Sequence, residues 1–394
     1  MHALPHDFTG RRIARLRKER HLTQQALADL SGIAYSTLTK TEQGVIPASP
    51  YVIGCVARAL RVEVASVTGQ PYTTELRADE LDSLIQPIRE SLDVYDLGAD
   101  PEVRSREVAA LQGEAEGLLV AVRAGEIKQT AGRLPGLVVE ATTAAHLAAT
   151  TEGWLLLASL YRTAYDVASK LGFADLATIA LSRMEWAAQR GSDAVVGGMY
   201  RYMRALTYLR TGQYRTGERL VRMGLGIVGQ AEPGRRRDVL AGQLHLGAAV
   251  MAGRAKDGAR AEGHLAEAGR LADATGEAVD VHWLAFGPTN VAVHRVSVMA
   301  ELDRYDEAAR AGHGLSVAED WPASRRSHHY AEVARAQLWT GDLDHAFANL
   351  LRARKAAPQQ ARYHQTVRET YAGLEAAKRR LPDSFLSYGA WLGH

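Results

Sequence analysis

Few side chains of this 394-residue chain stand at spacings that chemistry asks for, and most such sets fail a simple test. Fourteen histidines supply the commonest metal-ligand type. No HExxH pair occurs, and the adjacent His328 and His329 would point in different directions on a helix, so no metal site is expected. Cys55 is the sole cysteine, which excludes an internal disulfide and a thiolate zinc site. Gly224-Leu-Gly-Ile-Val-Gly229 has the spacing of a dinucleotide-binding loop, but it lies in a helical stretch with no strand before it. No nucleophile elbow, phosphate loop or carboxylate pair stands in a fitting context. Neither enzymatic activity nor a cofactor is expected. Two sets survive. Residues 35–40, Tyr-Ser-Thr-Leu-Thr-Lys, offer hydroxyls and an ammonium from one short helix, groups that hydrogen-bond base edges and phosphates. Asn290 and His294 share a helix face four residues apart, where an amide can bind a peptide backbone or a small polar ligand.

The charge distribution separates the regions that carry these two sets. Residues 1–69 hold nine Lys/Arg and five Asp/Glu, so they are +4 within a chain of net charge +2. A small basic head precedes a nearly neutral body, which hints at an anionic partner for the head. Within the head, Ile13 and Leu16 lie on one side of a first helix. Thr23 can cap a second, whose buried face is Leu27 and Leu30 and which ends at Gly32. A third runs from Tyr35 to Gln43. A fourth, residues 50–60, turns Val52, Val56, Ala57, Leu60 and Cys55 inward, and a short fifth closes near Gly69. Two short helices joined by a Gly turn make a helix-turn-helix unit. The expected division is a head over 1–70, a linker or connecting helix over 71–102, and a body over 103–394.

The runs Leu22–Ala28, Gly32-Ile33, Thr41–Gly44 and Ala57–Val62 resemble the Cro/phage-repressor-like (XRE) helix-turn-helix family. That resemblance implies a five-helix, lambda-repressor-like DNA-binding domain. It makes Gln24 a phosphate contact at the start of the second helix. It aims Tyr35, Ser36, Thr37, Thr39 and Lys40 at base edges or flanking phosphates, with Leu38 in the core. It also makes Arg17 and Glu42 an ion pair inside the domain rather than a DNA contact.

The body reads as alanine-rich amphipathic helices in repeats. Anchors begin at Gly172, Gly212, Gly253, Asp303 and Gly341, spaced by 40, 41, 50 and 38 residues, each with a small residue five positions on. A weaker copy begins at Gly125. Some large or charged residues, such as Glu262, occupy expected apolar sites. Neither a sustained heptad nor strand-like alternation appears. The units, Tyr330–Pro358 most clearly, resemble tetratricopeptide (TPR) repeats, so the fold class is all-α: a helix-turn-helix head followed by a TPR-like solenoid. The TPR pattern places Tyr202, Asn290, His328, Arg335 and Trp339 on the concave surface. His294 lies one turn from Asn290, and Trp283 and Phe286 can close over a ligand. The candidate ligand-binding set is thus Tyr202, Trp283, Asn290, His294, His328, Arg335 and Trp339. As a whole the chain is similar in architecture to Gram-positive peptide-pheromone receptor regulators. That similarity implies double-stranded DNA with an inverted-repeat operator, a peptide or small-molecule effector, and a homodimer. A protein-binding adaptor with a vestigial head is the alternative. With no secretory signal and no apolar run long enough to span a membrane, a cytoplasmic protein without a membrane partner is expected.

Overall fold

The structure, a computed structural model, describes residues 8–69, 78–377 and 382–393. It is all-α. Five helices form the head: α1 (Thr9–Glu19), α2 (Gln24–Ser31), α3 (Tyr35–Glu42), α4 (Pro50–Leu60) and α5 (Val64–Thr68). The starts and stops are set by short polar residues and glycine. Thr23 caps α2 by accepting from the Ala26 N–H at 3.1 Å, and Gly32 ends it at φ +68°. Ser49 caps α4, accepting from Val52 at 3.2 Å, with Pro50 opening the helix. Ile13, Leu27, Leu38, Ile53, Val56 and Leu60 fill one core, and Cys55 is buried there as expected. Leu30 departs from expectation: it is 62% exposed. The inward face of α2 is Leu27, Ala28 and Ser31, and Leu30 falls on the other side.

The body begins earlier than residue 103. Residue 70 of the expected head and residues 71–77 of the expected linker lie outside the described residues, but α6 (Ala78–Asp93) is no free connector. Its Ile85, Ile88 and Leu92 are sealed into the same core as Leu118, Leu137 and Leu160. Helical hairpins then follow: α7 (Val108–Ala124) with α8 (Ile127–Ala148), α9 (Thr151–Leu171) with α10 (Ala174–Gly191), α11 (Ala194–Arg210) with α12 (Tyr214–Val228), and α13 (Arg235–Arg254) with α14 (Gly258–Thr275). Next come α15 (Pro288–Glu301) with α16 (Tyr305–Gly314), and α17 (Ala323–Trp339) with α18 (Leu343–Ala356). The short α19 (Pro358–Tyr363), α20 (Gln365–Ala377) and α21 (Asp383–Leu392) finish the chain's described part. Among the described residues no strand forms; Ala278 and Phe286 make one isolated bridge.

Each of the first six hairpins turns on one residue in the left-handed conformation: Gly125, Gly172, Gly212, Lys256, Asp303 and Gly341. In the fourth hairpin the turn falls at Lys256 (φ +61°), not at the expected anchor Gly253, which lies inside α13. Lysine holds a conformation that favours glycine because its Nζ reaches Glu301 O and Asp303 Oδ2, each at 2.6 Å. The small residue five positions beyond each of the later turns (Ala177, Gly217, Ala261, Ala308 and Ala346) is buried, so neighbouring helices approach closely. Glu262, at an expected apolar site, ties two elements together by pairing with Arg295 and Arg304 at 3.1 and 3.2 Å.

The odd-numbered helices α7 to α17 form the inner layer. The superhelix bends until α17 touches α7, closing the inner face into a chamber. Phe286, read from sequence as a ligand lid, is instead fully buried against α13. There a Cβ added to Gly242 would sit 2.0 Å from the Phe286 ring. Gly242→Ala is therefore expected to cost about 1–3 kcal/mol through overpacking. A thermal unfolding curve identical to wild type would contradict this packing.

Candidate nucleic-acid interface and inner chamber

The DNA-facing candidates sit on α3 and the start of α2. Tyr35, Ser36 and Lys40 are exposed on one side of α3, while Leu38 is fully buried on the other. Thr37 is half-buried, and its carbonyl accepts from the Thr41 hydroxyl at 2.8 Å. Thr39 does not share the outward face fully: its Oγ1 is buried and unpartnered. No side chain caps α3, so its first amides keep free N–H donors at the positive end of the helix, suited to a phosphate.

The orientation of α3 is fixed by charge. Arg17 on α1 grips Glu42 through two parallel bonds, Nε–Oε1 at 2.7 Å and Nη2–Oε2 at 2.8 Å. Arg17 Nη1 also donates to Leu22 O at 2.8 Å, which ties the entry to α2. Bonding to Glu42 raises the Arg17 pKa, so the guanidinium keeps its charge. Gln24 Nε2 donates to Glu42 Oε2 at 2.8 Å. In this state Gln24 is therefore a brace between α2 and the end of α3, and a phosphate contact would have to come from its other bonding capacity.

Residues 10–67 match the family model for a helix-turn-helix domain, of the XRE-like kind. No curated protein and no solved structure matches the chain. The domain supports a DNA-binding regulator, and the adaptor alternative is not favoured. No helix among the described residues is long and apolar enough to cross a membrane.

The head is seated on the body by a face other than the outward side of α3. Helix α4 lies along the rim formed by the hairpin turns. Gly54 meets Gly212 so closely that a Cβ on Gly54 would stand 3.2 Å from the Gly212 Cα. Arg58 Nη1 donates to Gly212 O at 3.1 Å, and Lys256 Nζ stands 5.8 Å from the Tyr51 ring. Further along, the buried carboxyl of Glu369 accepts from the Thr9 hydroxyl and from the Ala48 N–H, the latter at 3.4 Å. Burial raises the Glu369 pKa above the ordinary carboxylate value, against the bond from Thr9.

The chamber brings together four of the seven ligand candidates. Tyr202 on α11 accepts from Gln243 Nε2 at 2.7 Å, and Gln243 accepts from Asn290 Nδ2 at 3.1 Å. Asn290 is fully buried and its Oδ1 has no partner. His294 Nδ1 lies 2.8 Å from Asn290 O, an acceptor, so Nδ1 carries the proton and Nε2 is left as acceptor. His328 Nδ1 lies 3.0 Å from His364 Nε2. Arg335 and Trp339 are not brought in. Arg335 is held beneath the rim by Glu332 at 2.6 Å and Glu301 at 3.4 Å, and Trp339 stacks on Tyr305 at 5.0 Å and lines the seam with the head. The side chain of Trp283 lies outside the described residues.

Sequence reasoning missed the cations of the chamber: Arg123 on α7, Arg162 and Lys170 on α9, Arg210 on α11 and Arg325 on α17. Among the described residues none has a carboxylate within 4.0 Å. Arg162 is 5% exposed and donates to His282 O at 2.5 Å, yet its Nε is unpartnered. Arg210 is exposed to solvent and reaches Tyr165 Oη at 3.2 Å, and the Tyr165 phenol holds its pKa above the ordinary value. Burial, with Arg162 and Arg325 nearby, pushes Arg123 down to about 9. Burial likewise lowers Lys170, with Arg123 and Arg210 adding to it. The signal was present as single bases on otherwise apolar inner faces, but the TPR pattern drew attention to other positions.

Burial also pushes His294 and His364 down to about 3, reinforced by Arg325 and His328 respectively. A histidine whose folded pKa is depressed below its unfolded value near 6.5 gives stability that is full above that value. That stability is lost as pH falls from about 6.5 towards 3. The melting temperature is expected to fall from pH 6.5 to 5, above the carboxylate range, and His364→Gln should flatten that slope. An unchanged slope in the variant would contradict the assignment.

Proposed function

We propose that this chain is a transcription regulator that binds an inverted-repeat operator as a homodimer and senses a peptide or small-molecule effector in its helical body. The observation that carries the reading is the seating of the head. Tyr35, Ser36 and Lys40 face solvent while α4 rests on the rim of the body. A head so held is free to meet a major groove, and its position depends on the rim. Two heads are needed because one recognition helix reads too few base pairs, and half-sites about one helical turn apart suit a two-fold dimer.

The coupling follows from chain connectivity. Arg210 ends α11 inside the chamber, and Gly212, two residues on, is the turn under Gly54. An effector that binds one curvature of the superhelix better than another shifts the population towards it. The rim, and with it the spacing of two heads, then changes.

Selection of operator fragments from random duplex DNA, followed by fluorescence anisotropy, tests this reading. Ser36→Ala or Lys40→Ala is expected to weaken operator binding by about 1–3 kcal/mol, roughly 5–150-fold. Loss of Lys40 should also lower the salt dependence by about one counterion. A wild-type protein that selects no sequence, or variants that bind as well as wild type, would overturn the reading.

A further inference from the structure

We propose that the inner chamber binds a small polyanion, a molecule with at least two ionised carboxylate or phosphate groups, held by Arg123, Arg162, Lys170, Arg210 and Arg325. This rests on the reading of the body as a sensor and names the chemistry it senses.

Charge in the chamber is unbalanced. Arg123, Arg162, Lys170 and Arg210 share the field of a single acid, Asp166, which itself forms no ion pair. Elsewhere this same body pairs its buried cations: Arg335 has Glu332 and Glu301, and Arg254 has Glu301 at 3.3 Å. A group of like charges partly withdrawn from bulk water, with Arg162 buried and Arg123 and Lys170 half-buried, is costly unless opposite charge joins it. Inside the chamber, among the described residues, Asp166 stands opposite these four bases without touching any of them.

Arg162 is almost wholly buried with an unpartnered Nε, and the Nε of Arg123 is likewise buried and unpartnered. Guanidinium forks match the planar oxygens of carboxylates and phosphates. Of the five bases, Arg162 lines a cavity of about 330 Å³, together with Gln112, Ser159, Arg236 and His282. That volume suits a metabolite-sized molecule rather than a long peptide. Glu116, Glu152 and Asp280 are also in its wall, and carboxylates accept hydrogen bonds. The ligand therefore carries a hydroxyl or N–H group beside its anionic groups.

Inorganic pyrophosphate and citrate, titrated calorimetrically into the full chain without DNA, are the probes. We expect one equivalent of at least one probe to bind per chain and to raise the melting temperature. The stronger probe distinguishes phosphate from carboxylate chemistry. Arg162→Gln and Lys170→Gln should each weaken binding tenfold or more, whereas Lys40→Ala, on the head, should leave it unchanged. Because Lys170 is only half-buried, its variant serves if the Arg162 variant does not fold. Without ligand, Arg123→Met should raise the melting temperature by about 2 °C, since it relieves repulsion.

Failure of both probes to bind would overturn the proposal. So would binding that survives both chamber variants, or binding lost in Lys40→Ala alone. A lowered melting temperature in Arg123→Met would also overturn it, because the guanidinium would then be structural. If a probe binds the chamber yet operator affinity is unchanged, the sensor reading fails and the polyanion site stands. If an uncharged effector changes operator affinity while neither probe binds, the site fails and the sensor reading stands.

Discussion

The contact on which the arrangement depends is the approach of two backbones, Gly54 on α4 and Gly212 in the turn between α11 and α12. No side chain separates them, so the head cannot slide on the rim without losing the fit or the Arg58 bond to Gly212 O. Close packing of this kind is bistable rather than elastic, because a small displacement removes contacts outright. The same contact leaves α3 outward. One constraint thus orients the DNA-facing helix and ties it to the body.

Electrostatics divides the body into two zones. Beneath the rim, Arg335, Glu332, Glu301 and Arg254 form a compensated network, with Thr366 donating to Glu332 at 3.2 Å. Such pairs hold position, since removing one partner strands the other. Inside the chamber, bases gather without acids at contact distance. The first zone supports the seat of the head. The second is poised for a partner of opposite charge, at the cost of stability in its absence.

The head was legible in the sequence because short-range chemistry determines it. Thr23, Gly32, Ser49 and Pro50 act where they stand, and the pairing of Arg17 with Glu42, 25 residues apart, was implied by the family resemblance alone. Leu30 was misread because an eight-residue helix leaves its apolar stripe ambiguous. The body was legible as a class of fold, not in register. Gly253 resembles a turn signal, but the turn falls on Lys256, whose conformation is held by Glu301 and Asp303 from the next hairpin. That support is tertiary and invisible locally. Likewise Asn290, His294, Tyr202 and His328 were found by helix position, whereas the chamber cations come from four helices, the first and last of which meet only when α17 closes on α7. Arg335 and Trp339 have inward positions in the repeat pattern, but acids and Tyr305 claim them first.

The central claim is that occupancy of the chamber is felt at the seat of the head. Hydrogen exchange of the full chain, with and without saturating pyrophosphate, tests it most directly. The account predicts altered exchange around Arg162 and Arg210 on the inner helices and, together with it, altered exchange along α4. A change confined to the inner helices, with α4 amides exchanging as before, would contradict it.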